Sequence, residues 1–167
     1  RAYLSVKIPL RNADGSIHAL CGISTDITER RRSEESLQIA ATVFESFEGM
    51  IVTGPDQRIL KANLAFARLT GYSVDELVGQ TPDQLHSDRH DAQFYAGLQS
   101  TLRTQGVWQG EVWNRRKDGQ EYPALITLTA VRSADGDITH YVGTYTDISS
   151  RKAAEEEIRV LAFYDPL

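Results

Sequence analysis

Cysteine is nearly absent: the 167 residues hold one, Cys21. No internal disulfide can form, and a reducing, cytoplasmic compartment is the expected setting. Long apolar runs are absent too, with none near the ~20 residues that span a bilayer, and no signal peptide opens the chain. Excess positive charge is missing. Eighteen Lys and Arg against 23 Asp and Glu leave a net charge of −5, which argues against a nucleic-acid partner. The basic run Arg30-Arg31-Arg32 is flanked by Glu29, Glu34 and Glu35 and reads as a solvated helix face. Catalytic vocabulary is absent as well. There is no Ser-His-Asp or Cys-His arrangement, no phosphate-cradling glycine loop and no HExxH spacing, so no enzyme is expected here. The chain opens on Arg1 without an initiator Met, and we read it as a piece of a longer protein.

What is present is enough apolar residue, 41%, for one full domain with flanking pieces. The strongest pattern is an internal repeat at an offset of 121. Ala13-Asp14-Gly15-Ser16-Ile17 returns as Ala134-Asp135-Gly136-Asp137-Ile138, and Gly22 as Gly143. Thr25-Asp26-Ile27 returns as Thr146-Asp147-Ile148, Arg30 as Arg151, and Glu34-Glu35 as Glu155-Glu156. Each copy reads as two strands joined by an Asp-Gly turn, then a charged helix. Residues 1–28 are thus expected to be the last hairpin of one domain, 29–44 a connecting helix whose apolar stripe runs on to Phe47, and 45–148 a complete second domain. Residues 149–167 hold an exit helix.

Within the complete copy, Met50–Thr53 and Arg58–Asn63 read as strands and Leu64–Thr70 as a short helix stopped by Gly71. Ser73 and Glu76 have capping-box spacing. Thr81-Pro82 reads as N-cap and first residue of another helix, and Asp91–Thr104 as a longer one. Val107–Arg116 and Glu121–Arg132 flank Asp118-Gly119, a hairpin signal. Pairing around that dipeptide sets Trp113 opposite Ala124 and Asn114 opposite Pro123. Asp137–Ser149 is the last strand. The expected fold is α+β: a five-stranded antiparallel sheet with short helices over one face, flanked by helices at both ends.

These words resemble the PAS family. Asn63-Leu64-Ala65-Phe66 with Leu69-Thr70-Gly71-Tyr72 is similar to its second strand and first helix. Trp108-Gln109-Gly110-Glu111 and Trp113 through Gly119 are similar to its central hairpin. His140-Tyr141-Val142-Gly143 and Thr146-Asp147-Ile148-Ser149 are similar to its last strand and exit. Leu161-Ala162-Phe163-Tyr164-Asp165-Pro166-Leu167 resembles the opening of a GGDEF domain. That resemblance implies a parent with a diguanylate cyclase in cis, with room for a cyclic di-GMP phosphodiesterase.

The resemblance implies an internal pocket, but the family's pockets hold flavin, haem, metabolites or nothing. Light-sensing relatives need a cysteine where this chain has Pro82, so photochemical flavin is not expected. Redox flavin sensors are similar around Asn114, although Gln99 stands where they carry a tryptophan. Haem needs an axial His. His86 and His90 sit in the right stretch but read as surface or capping residues. The expected order is an empty or metabolite-filled pocket, then FAD, then haem. Asn114, Tyr141 and Tyr145 are the expected polar lining, and Val112, Leu125 and Phe94 the apolar wall. Asp147 and Ile148, with Asp26 in the first copy, mark the strand-to-helix junction through which a signal would pass. Leu37, Phe44, Ile158 and Leu161 belong to apolar stripes expected to pair in a homodimer. The competing reading is a ligand-free module that only dimerises and spaces domains.

Overall fold

The computed structural model describes residues 1–45 and 47–163. The chain divides into two units, Arg1–Val43 and the stretch from Phe44 onward. In the first, β1 (Tyr3–Arg11) and β2 (Ile17–Asp26) pair antiparallel, and α1 spans Thr28–Phe44. Strand alternation puts Leu4, Val6, Ile8 and Leu10 on one face with Ala19, Cys21 and Ile23. Both faces of this hairpin are exposed.

The second unit holds a five-stranded antiparallel sheet of order β4-β3-β7-β6-β5. Its strands are β3 (Gly49–Thr53), β4 (Ile59–Ala62), β5 (Val107–Arg115), β6 (Glu121–Arg132) and β7 (Ile138–Asp147). Between β4 and β5 run α2 (Leu64–Thr70), α3 (Val74–Leu77), a 3-10 turn (Pro82–Leu85) and α4 (Ala92–Gln105). The exit helix α5 spans Ser149–Phe163. The GGDEF-like segment from Leu161 continues through Tyr164–Leu167, which lie outside the described residues.

Local chemistry explains these boundaries. Ser73 and Glu76 form both bonds of a capping box. Asn63, fully buried, is the N-cap of α2, its Oδ1 accepting from the amides of Phe66 (2.8 Å) and Met50 (2.9 Å). Its Nδ2 donates to the carbonyls of Phe44 (2.7 Å) and Glu48 (2.8 Å). The side-chain amide thus has partners on both ends and fixes the chain's entry to the sheet. α1 consequently ends at Phe44, short of the Phe47 to which its apolar stripe extends in sequence. Thr81 does not cap a helix: its hydroxyl donates to Asp83 (3.1 Å), and only a 3-10 turn follows. The core gathers Ile51, Ile59, Phe66, Leu77, Val112 and Tyr122 between helices and sheet.

The β5–β6 pairing differs by one residue from the register expected around Asp118-Gly119. Val112 faces Ala124, Trp113 faces Pro123 and Asn114 faces Tyr122. The favoured two-residue turns need positive φ at the first central residue, and type I′ at both, but Asp118 does not have it and Gly119 does (89°). The connection is instead three residues long, with Arg116 N–H donating to Gln120 (2.9 Å) and Gly119 N–H to Arg116 (3.0 Å). A one-residue slip transfers every partner side chain to the other face.

Candidate ligand-binding site

Between the helices and the sheet lies a cavity of about 240 Å³. The strands supply an apolar floor from Ile51, Val112, Ile126 and Tyr145, and Leu85, Leu98 and Leu102 close it from the helical side. Gly143 leaves it room, because a Cβ there would stand 2.9 Å from the Tyr145 ring and 3.0 Å from Leu128. The rim is polar, with Gln57, Asp83, His86, Tyr95 and Gln99.

Asn114, Tyr141, Tyr145 and Val112 all face this cavity. Leu125 does not. In the observed register it pairs with Glu111, one residue out of phase with Val112, and stands on the opposite face of the sheet. Phe94 is displaced as well. α4 presents Tyr95, Leu98, Gln99 and Leu102 to the cavity, whereas Phe94 stacks on His90 at 4.1 Å and meets Trp108 edge-on. The spacing Tyr95, Leu98, Gln99, Leu102 is an i, i+3, i+4, i+7 face, the signal by which these residues were findable.

Asn114 is 2% exposed, and its Nδ2 has no hydrogen-bond partner among the described residues. An unpaired buried amide costs about 1–3 kcal/mol. The neighbouring Tyr122 hydroxyl is equally unpaired. The two residues face each other across the β5–β6 pair. Burial dominates and pushes the Tyr122 phenol up to about 12. Burial likewise raises Tyr145.

From Tyr122 a chain of contacts leads to the exit helix. The Arg116 guanidinium stacks over the Tyr122 ring at 4.0 Å. It donates to the Leu69 carbonyl, to Gln120 (3.1 Å) and to Asp147 (2.6 Å). Burial acts to raise the Asp147 pKa, but hydrogen bonds from Ser149 and Arg116 outweigh it and hold the carboxylate below its ordinary value. Asp147 Oδ1 accepts from Ser149 N–H (2.8 Å) at the start of α5, and buried Ile148 donates its N–H to Pro123 (3.0 Å). On the outer side of β5, Glu111 holds Arg151 (2.7 Å) and Lys152 (2.5 Å) of the same first turn. In the first unit Asp26 makes the matching bond to Thr28 N–H (2.9 Å). The stripe residues stay open: Leu37 is 71% exposed, Ile158 67% and Leu161 65%, with Phe44 half-buried.

The residues present do not fit haem. His90 Nε2 already accepts the Trp113 amide (3.0 Å), and His86 lies flat on Tyr95 at 3.7 Å. The volume falls below the ~300–1,000 Å³ of drug-sized ligand pockets. Asn114 suits the edge of a flavin ring, but FAD would require a wider cavity, and Gln99 is tied to Gln57.

A family model described as PAS domain matches residues 48–150. The nitrogen fixation regulatory protein of Klebsiella oxytoca is 34% identical over 108 residues, which cover 65% of this chain and 22% of that protein. Phototropin-2 of Oryza sativa subsp. japonica is 29% identical over 119 residues, 71% of this chain and 13% of that one. This chain therefore spans about a fifth or less of these relatives. The crystal structure of the PAS domain of a protein from Colwellia psychrerythraea aligns with a TM-score of 0.65 at 24% identity, over 69% of this chain and 98% of that one, a likeness of fold. No helix among the described residues is long and apolar enough to cross a membrane. On its fold and on the match across most of its length, the chain belongs to the PAS domain family of sensory and regulatory modules.

Proposed function

We propose that this PAS domain detects a small, mainly apolar molecule carrying a hydrogen-bond acceptor, and passes its presence to the exit helix. The observation that carries this reading is Asn114, which lines the mainly apolar cavity and whose buried Nδ2 has no partner among the described residues. A ligand acceptor would satisfy it. The contacts Asn114–Tyr122–Arg116–Asp147 then join the cavity wall to the first turn of α5. A ligand shifts such a lever only if it binds its two positions differently. Residues 1–28, by the repeat, are the last hairpin of a preceding PAS domain. Exposed Leu37, Ile158 and Leu161 support pairing of α1 and α5 in a homodimer. The Leu161–Leu167 resemblance makes the output a diguanylate cyclase in cis.

Native mass spectrometry of the freshly purified chain tests for a retained small molecule. With that molecule added, amide hydrogen exchange at residues 149–155 should change. Asn114→Leu should weaken its binding tenfold or more, on the order of one charge-free buried hydrogen bond and its unpaired donor, while leaving the empty domain as stable as before or more so. Asp147→Ala should keep binding and lose the exchange response. A bound molecule that leaves residues 149–155 unchanged would refute transmission. In the parent, one residue inserted after Asp147 rotates α5 by about 100° and should alter cyclase output, whereas seven should restore it.

A further inference from the structure

The four hairpin turns among the described residues share one backbone design. In each, the first residue donates to the carbonyl four residues on, and the residue before that partner donates back. The pairs are Asn12–Ser16, Gly54–Arg58, Arg116–Gln120 and Ser133–Asp137. Three of them place glycine at the position of positive φ: Gly15, Gly119 and Gly136. The β3–β4 turn places Gln57 there, with φ 65°, the one non-glycine with positive φ among the described residues. Glycine holds such a turn without steric cost. A strained residue kept in its stead points to work done by its side chain.

That side chain spans the rim of the cavity. Gln57 Nε2 donates to Gln99 Oε1 (2.9 Å), and Gln99 Nε2 donates back to Gln57 Oε1 (3.0 Å), closing a ring of two hydrogen bonds between the turn and α4. Both glutamines line the cavity and both are half-buried, so one side of the ring meets solvent and the other the interior. Each amide presents a donor beside an acceptor. Opening the ring strands both pairs unless the incoming molecule offers the complementary edge. A primary amide or a lactam has that edge. A carboxylate has acceptors alone, and a hydrocarbon has neither.

We propose that Gln57 and Gln99 are the specificity-determining rim of this cavity: the pair opens for a small cyclic ligand with an amide or lactam edge, which replaces one glutamine's bonds while its ring enters the apolar interior. This rests on the cavity being a ligand site. The test titrates the 167-residue chain with benzamide, benzoate and toluene, following ¹H–¹⁵N shifts. Benzamide should bind about tenfold tighter than benzoate, the worth of one to two hydrogen bonds. Gln57→Gly, which relieves the turn and removes the ring that any ligand must open, should reduce that preference below about twofold and leave toluene binding no weaker than before. Gln99→Glu converts the rim to acceptors and should move the preference from benzamide to benzamidine, a gain that misfolding cannot produce. If toluene binds but benzamide and benzoate are equal in the parent chain, or if Gln57→Gly keeps the original preference, the rim is overturned and the cavity remains a ligand site. If none of the probes binds, the cavity reading falls and the rim with it.

Discussion

Thr25-Asp26-Ile27 and Thr146-Asp147-Ile148 close two hairpins that agree almost bond for bond. Asp26 and Asp147 each accept the amide two residues on. Ile27 and Ile148 each donate to the strand opposite, at Ala2 and Pro123, and accept from Arg31 and Lys152. Arg11 and Arg132 each reach the carbonyl of their turn glycine, Gly15 and Gly136. Even the register shift recurs, between Leu10 and Arg11 and between Val131 and Arg132. Burial separates the two copies. In the second, Tyr141, Tyr145 and Ile148 are buried against helices and neighbouring strands, whereas β1 and β2 are exposed on both faces. Turns, caps and hairpin pairing are written locally, while the cavity is built by the helices and neighbouring strands packed against the second hairpin.

The sharpest way to break this comparison is to cut the same residue in both copies. Ile148 is 4% exposed and Ile27 only half-buried. Ile148→Ala should cost about 2–5 kcal/mol, and Ile27→Ala below about 1 kcal/mol. Urea unfolding followed by Trp108 and Trp113 reads the domain, and amide exchange across β1–β2 reads the hairpin. Equal losses would mean that the first hairpin is packed as tightly as the second.

Backbone changes should behave in the opposite way, with similar costs in both copies. Gly15 and Gly136 have φ 86° and 92°, and a Cβ on either would touch nothing within 4 Å. Only the left-handed backbone resists alanine, at about 1–2 kcal/mol. Gly15→Ala and Gly136→Ala should therefore weaken their own hairpins alike, by exchange and by urea midpoint respectively. A large asymmetry would show that the surrounding domain strains or supports one turn.

The same division explains what could be read without coordinates. The order of elements, the Ser73–Glu76 box and the repeat were legible because each is a short-range pattern. Leu125 was misplaced because one positive φ, at Gly119 alone, makes the turn three residues long and moves β6 by one. The apolar stripe that runs on to Phe47 does not carry α1 past Phe44, whose carbonyl is held by Asn63, nineteen residues away. Asn114, Val112, Tyr141 and Tyr145 were placed together by resemblance and strand alternation. The Gln57–Gln99 pair joins residues 42 apart, and nothing in a Pro-Asp-Gln turn announces it.

The smallest expected effect concerns protons, and it belongs to the helical side of the second unit. Burial lowers the His86 pKa from its ordinary 6.5, with His90 adding to this and Asp83 opposing it. The ring stacks on Tyr95 and stands 3.9 Å from the exposed Asp83 carboxylate. A histidine with a depressed folded pKa binds its proton more readily when unfolded, so stability rises with pH across that interval. The domain should therefore lose stability as pH falls below 6.5, and the loss should level off once the folded ring also protonates. Tryptophan-monitored urea midpoints between pH 7.5 and about 5, above the usual carboxylate range, should show this slope, and His86→Gln should flatten it. The exchange rates of β1–β2, corrected for the intrinsic effect of pH, should show no such step. A slope that survives His86→Gln would move the proton to another group and separate the cavity rim from the pH response.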